Sequence, residues 1–422
     1  MIGFIKRLCR DRRGNALIIV GAALPLLVGS AGLAVDTVQW AMRKRQLQRA
    51  ADSAAFAGVY AKVENNAGMT DSQAVAGDLT KHNTTGITLV SGHPQIGYPT
   101  SSAYTNGVQV TIAVTKSLGF SSMFLSQAPI ITATGTAALF DDGNYCVVAL
   151  ALTGSALLIG GSSNVDMGCG AISNSTDPTN SVVVNGNAHN FVASSVAAVG
   201  GMPSAINGAT DLQPYHIAMQ DPYASLPTAV PSGMNCTNFN SHVVNTPGGG
   251  NSGGVTISPG CFSNFNAGNN TYTLQPGTYY LNNTDLSLNG QTRLEGTGVT
   301  IILTGSSRGS VSMNGNSSIS LTAPTTGTYA NMLLIQSPNA TTGNNNTING
   351  NNNSMLDGAV YFPSGDLTFT GSSAAATQCA MIVAYTVEFT GSSNIQNDLV
   401  RPDGEPCVAA TQVQGKKIRL IA

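Results

Sequence analysis

The chain has 422 residues, too many for one ordinary domain, and only 9 % of them are charged while 48 are glycine. That balance suits extended β architecture with many tight turns and argues against a mainly helical protein, which would carry more Glu and Lys. The net charge of −2 hides an asymmetry: ten of the eighteen Lys and Arg fall within residues 1–62. The basic end suits a lipid surface, and the lack of a basic patch in the rest excludes nucleic acid as a partner.

Residues 14–62 organise everything after them. From Gly14 to Val35 there is no charge, enough helix to cross a bilayer core. From Asp36 to Lys62 the chain lacks Pro and is rich in Ala, Arg, Gln and Leu, so the helix should continue as an amphipathic rod. Val38, Met42, Leu47, Ala51, Ala54, Ala55 and Val59 are expected on its apolar face. Three readings of residues 1–35 compete: a permanent anchor, a signal peptide cleaved at Gly32-Leu33-Ala34, and a buried helix of a soluble protein. The apolar run exceeds a signal core and helix continues past the cleavage site, which favours the anchor. Pro25 sits mid-span and is expected to kink it, as membrane helices tolerate. Trp40, the single tryptophan, lies where an interfacial aromatic would anchor, or packs on the next domain. Basic residues flank the run on both sides, five before and four after, so charge decides orientation weakly; the cysteines place the N-terminus in the cytoplasm and the bulk outside.

Arg12-Arg13-Gly14-Asn15, the apolar run with Pro25, Gly32-Leu33-Ala34-Val35-Asp36 and Leu47-Gln48-Arg49-Ala50-Ala51-Asp52 resemble the N-terminal segment of Tad (Flp) pilus-assembly proteins of the TadE/TadG type. The resemblance covers about 50 residues. It implies a protein of the bacterial envelope near a Tad pilus or secretion system. Some TadG-like proteins carry a von Willebrand type A domain with an Asp-x-Ser-x-Ser metal motif; this chain lacks that motif, so the metal site is not carried over. Type IV pilin precursors carry Glu five residues past the cleaved Gly, where this chain has Ile19.

Residues 63–140 read as a small α+β module packed on the exposed half of the long helix: a helix over 71–82, strands over Gly107–Thr115 and Ile130–Leu139, and a short apolar helix or turn at Leu118–Leu125. His82 and His93 read as solvated loop histidines.

Residues 141–422 repeat a phrase of apolar, any, apolar, Asn or Thr, Gly, at Val182–Gly186, Leu286–Gly290, Val311–Gly315, Thr347–Gly350, Leu367–Gly371 and Val387–Gly391. Short strands with Gly and Asn corners at a period near 20–25 residues mark a right-handed parallel β-helix, or β-solenoid. Stacked Asn side chains can then bond from coil to coil. The alternative is a jelly roll or sandwich. Of the seven cysteines, Cys9 precedes the span; the spacings Cys146–Cys169, Cys236–Cys261 and Cys379–Cys407 each match one coil, so three disulfides are expected. The Pro- and Gly-rich residues 200–255 are expected to leave the repeat as a loop, the part of the chain to move or bind.

No site chemistry emerges. The acids Asp166, Asp285, Glu295, Asp357, Asp366 and Glu388 share no short motif. The histidines His82, His93, His189, His216 and His242 lack zinc spacing, nucleotide-binding motifs are missing, and Asn339–Asn353 reads as a polar corner. No catalytic residue, cofactor or metal is expected. The preferred reading is a structural envelope protein: residues 1–35 anchor it, residues 36–62 meet pilus-assembly or secretion proteins or copies of the same chain, and the solenoid is a spacer or a surface for adhesion. The second reading is a membrane-tethered enzyme or binding module for surface polysaccharide.

Overall fold

The structure is a computed structural model describing residues 14–64, 69–82, 88–186, 190–245, 254–306, 309–314, 316–339, 344–349, 354–370, 374–377, 380–391, 394–397 and 413–421. The chain forms two compact units, one of residues up to Phe140 with Ile418–Ala422, the other Asp141–Lys417.

In the first unit, helix α1 spans Gly14–Glu64 and runs through Pro25 as one element. Helix α2 spans Asp71–His82. It starts in a reciprocal capping box, with the Thr70 N–H on Gln73 Oε1 at 2.8 Å and the Gln73 N–H on Thr70 Oγ1 at 3.3 Å. Strands β1 (Gln95–Gly97), β2 (Thr105–Thr115) and β3 (Ile130–Ala149) pair antiparallel in that order. Val108, Val110, Ile112 and Val114 point to one face of β2, and all are buried. With Ile131, Ala133 and Ala137 of β3 they form a core with Leu47, Ala51, Ala54, Ala55 and Val59 of α1 and Val75 and Leu79 of α2.

Helix and sheet meet at backbone distance. A Cβ on Gly135 would lie 2.5 Å from the carbonyl carbon of Ala51 and from the amide nitrogen of Asp52. Val38 and Met42, expected on the buried face, are 57 % and 67 % exposed. The phase explains this: at about 100° per residue, Val38 sits half a turn round from Leu47.

The second unit is built almost wholly of parallel strands in three ladders. One begins at Cys236–Thr237, passes through Gly260–Phe262, Gly277–Asn282, Val299–Thr304, Met332–Gln336, Ala359–Phe362 and Met381–Ala384, and continues through Val147–Ala149, Gly170–Ser173 and Val196–Ala198 to Leu212–Pro214. A second ladder holds the repeated phrase: Leu286 pairs with Val311, Leu367 with Val387, Val387 with Leu157, and Leu157 with Val182. A third runs from Val255–Ile257 to Asn190–Val192, with the antiparallel strand Val243–Asn245 beyond Val255–Ile257.

Identical positions stack from rung to rung. Phe369 and Phe389, paired positions of the second ladder, stack with centroids 5.5 Å apart, and Phe191 of the third ladder meets Phe389 across the interior at 5.9 Å. Asn314 Nδ2 donates to Asn289 Oδ1 at 3.3 Å. Fully buried Asn346 accepts the Val311 N–H and donates to the Asp366 carbonyl. Gly186, Gly290 and Gly391, which end phrases of the second ladder, have φ of 73°, 66° and 74°; a side chain there would be strained.

Two features depart from the sequence reading. The first is order. The unit's first strand lies in the middle of its ladder: rungs grow from it to Leu212–Pro214, then the chain restarts at Cys236 and climbs back until Met381–Ala384 pairs with Val147–Ala149. The second is the segment between them, expected as a long loop or an excursion off the repeat. Its described residues bond to several rungs. Asn174 takes the Met219 N–H and donates to the Met219 carbonyl, at 2.8 and 2.7 Å. Tyr361 donates to Asp221 at 2.7 Å, Tyr329 to the Pro227 carbonyl at 2.9 Å and Thr228 to Ser337 at 3.2 Å. The segment is a strap, held because its backbone polar groups find partners on the ladders.

Asn174→Ala should cost about 2 to 3 kcal/mol, since it leaves both polar groups of Met219 unpaired. A drop in the urea midpoint, with faster proteolytic nicking between Tyr215 and Asn235, checks this.

Candidate membrane and assembly site

Helix α1 divides into a bare half and a docked half. In the bare half, Ile19, Val20, Leu24, Leu26, Leu27, Val28, Leu33 and Val35 are all more than half exposed. Those positions lie on several sides of the axis, and little of this half is covered by protein apart from Gly32, where the Phe120 ring packs. The helix is long and apolar enough to cross a membrane. Arg12 and Arg13 lie outside the described residues, as do the side chains of Gly14 and Asn15. Trp40 is 43 % exposed, on a turn beyond the apolar run.

The docked half carries the motif. Leu47, Ala50, Ala51, Ala54 and Ala55 are buried. Gln48 Nε2 donates to the Thr134 carbonyl at 2.7 Å and to Asp52 Oδ1 at 2.8 Å. Lys44 Nζ donates to the Thr132 carbonyl. The small residues let the strand approach at Gly135, and the polar ones pair with carbonyls along β3. This face is occupied by the chain's own sheet, as expected of the module that follows the helix; Val38, Trp40 and Met42 remain exposed.

Asp36 joins the two halves. It is 3 % exposed, and its carboxylate accepts the Phe120 N–H at 3.1 Å and the Ser121 N–H at 2.5 Å. The Ser121 hydroxyl and these amides hold its carboxyl below the ordinary value of 3.8. They fix a single 3-10 turn, Ser121–Met123, where an apolar helix or turn was expected. A Cβ on Gly32 would lie 2.4 Å from the Phe120 ring, so Gly32 is the slot for that ring. Sequence reading marked Gly32 and Asp36 but not their partner, 84 residues away from Asp36.

Residues 14–62 match a family model described as "Putative Flp pilus-assembly TadE/G-like". The match identifies this Tad-like segment, and the chain beyond it has no such assignment. No curated protein matches the chain. Among solved structures, the competence-associated pilin ComZ from Thermus thermophilus is similar at 7 % identity, over 79 % of this chain and 87 % of that one, with a TM-score of 0.20. At that score the likeness carries no argument.

The remaining expected sites lie outside the Tad-like segment. Cys146 and Cys169 are disulfide-bonded with Cα atoms 5.9 Å apart, and Cys236 and Cys261 with Cα atoms 4.4 Å apart; Cys379 and Cys407 fall outside the described residues. Asp285 accepts the Ser310 N–H, Asp366 the Thr386 hydroxyl, and Glu295 pairs with Arg293. No group of three metal-binding side chains occurs among the described residues. His93 Nδ1 donates to the Thr111 carbonyl, and His242 stacks on Phe262. His216 is 5 % exposed, with Nε2 3.5 Å from Asp142 Oδ2 and its ring edge-on to buried Tyr145. Burial pushes the Tyr145 hydroxyl up to about 12, and burial followed by Asp221 does the same to Tyr223.

Gly135→Ala should destabilise the first unit by about 2 to 3 kcal/mol by forcing the helix off the sheet. Gly97→Ala, where a Cβ meets only Gln109 at 3.6 Å, should be near neutral; thermal melts of the two variants check this. The tyrosines give a pH dependence. Their folded values lie above the ordinary 10.0, so their contribution is complete below pH 10.0 and is lost as pH rises toward about 12. A urea midpoint that stays flat to pH 10 and then falls, less steeply in Tyr223→Phe, is the expected result.

Proposed function

We propose that this chain is a single-pass protein of the bacterial inner membrane serving a Tad (Flp) type pilus or secretion system. Its N-terminus lies in the cytoplasm and both units lie in the periplasm or at the surface. One observation carries the reading: the Tad-like segment is apolar and largely bare from Ile19 to Val35, then docked through its motif from Leu47. An apolar helix so largely bare needs a lipid solvent.

The second unit, on this reading, is a right-handed parallel β-helix that serves as a spacer or an adhesive surface. Three parallel ladders with rung-to-rung stacking support it, and the cystines suit an oxidising compartment. The role is structural rather than enzymatic. In support, Asp285, Asp366 and Glu295 are each engaged in local bonds that hold rungs or neighbours together. The partners are the lipid bilayer and Tad assembly or secretion proteins. Because the Leu47–Val59 face is already occupied, contacts with such proteins or with a second copy use the Val38, Trp40 and Met42 side.

Protease added to spheroplasts should digest both units and leave only an anchor fragment. Protection of the C-terminal region would overturn the topology. Crosslinking through Met42→Cys should recover a pilus-assembly or secretion component, and recovery of none would overturn the assignment to that system.

A further inference from the structure

Besides the bare half of α1 and Val38, Trp40 and Met42 beyond it, the described residues of the first unit expose a further cluster of large apolar side chains. Met123 is 75 % exposed, Phe124 74 % and Leu125 51 %. They form the tip of the 3-10 turn, and no charged residue occurs between Ser117 and Phe140. Such a patch on a soluble surface would be a liability.

Its position gives it a use. The turn is held at two points on α1. Phe120 fills the slot over Gly32, within the apolar run, and Asp36, the first charge after the run, takes the Phe120 and Ser121 amides. Phe124 packs on Phe120 with centroids 5.3 Å apart. The tip is therefore fixed at the height where the apolar run ends, beside Leu33 and Val35, which are each 56 % exposed. Trp40, 43 % exposed, follows one turn beyond Asp36. A side chain at that height meets the headgroup boundary, where aromatic residues are favoured and an apolar face sinks about 5–10 Å.

We propose that Met123, Phe124 and Leu125 insert into the bilayer interface as a second membrane contact, seated beside the span. The proposal rests on the membrane reading of α1. The occupant is lipid rather than another protein, because the patch is continuous with the bare helix surface that lipid already covers. Two contacts held together by Asp36 fix how the first unit is tilted and turned on the membrane, which a lone helix would leave free.

The test uses the full chain with Trp40→Phe, reconstituted in phosphatidylcholine vesicles, and two single reporters, Phe124→Trp and Leu27→Trp. Lipids brominated near the headgroup end of the chain should quench the Phe124→Trp signal more than lipids brominated near the chain terminus. Leu27→Trp should show the reverse order. If Leu27→Trp is quenched and Phe124→Trp is not, the interfacial contact is wrong while the span stands. If neither is quenched, the span itself has failed and the inference with it. Asp36→Ala should lower quenching of the Phe124→Trp reporter by freeing the turn; unchanged quenching would overturn the role of the clamp.

Discussion

An apolar helix with little covering surface is the constraint from which the rest follows. From Ile19 to Val35 the helix exposes Leu, Ile and Val over most of its surface, so its stability in place depends on a solvent with no appetite for backbone or side-chain hydrogen bonds. The change at Asp36 is abrupt. One carboxylate marks the end of the bare run and ties it to a turn 84 residues later, and within three further turns the helix is fully engaged with its own sheet. The Tad-like motif is thus a docking surface made of small residues and paired amides. Its alanines are there because Gly135 brings a strand to within backbone contact of Ala51.

The second unit solves a different problem. A long parallel ladder has open ends and many corners, and its sequence is nearly free of the charges that could protect them. Buried Asn346, the aromatic row at Phe369 and Phe389, and glycines with positive φ at the corners hold rung to rung. The chain also starts mid-ladder, so its first ladder strand pairs there with one that returns late in the chain: Met381–Ala384 with Val147–Ala149. The strap makes this possible by carrying the chain from one end to the other, and cystines bracket it, with Cys146–Cys169 before it and Cys236–Cys261 where the ladder restarts.

Local chemistry was legible in the sequence, and long-range arrangement was not. Helix α2 could be read because Asp71 sits at its start, and β2 because Val108, Val110, Ile112 and Val114 alternate. The repeated phrase could be read as a stack because identical positions do pair, Leu367 with Val387 and Phe369 with Phe389. Periodicity cannot say which coil neighbours which, so the climb back from Cys236 was invisible. Proline content made residues 200–255 look like a loose loop, whereas the hydrogen bonds of Met219, Asp221 and Pro227 depend on partners far along the chain. Val38 and Met42 share the apolar character of Leu47 but lie about half a turn round the helix from it, so apolarity alone does not place them on the buried face. The Asp36 clamp left no signal beyond a lone acid after an apolar run.

The central claim is that the bare half of α1 lies in a bilayer and holds the full chain there. Washing cell membranes with alkaline carbonate tests it most directly, since that treatment releases peripheral proteins and leaves spanning ones. The account predicts that the full chain stays in the pellet and that Leu26→Arg with Leu27→Arg moves it to the supernatant. Release of the unaltered chain would contradict it.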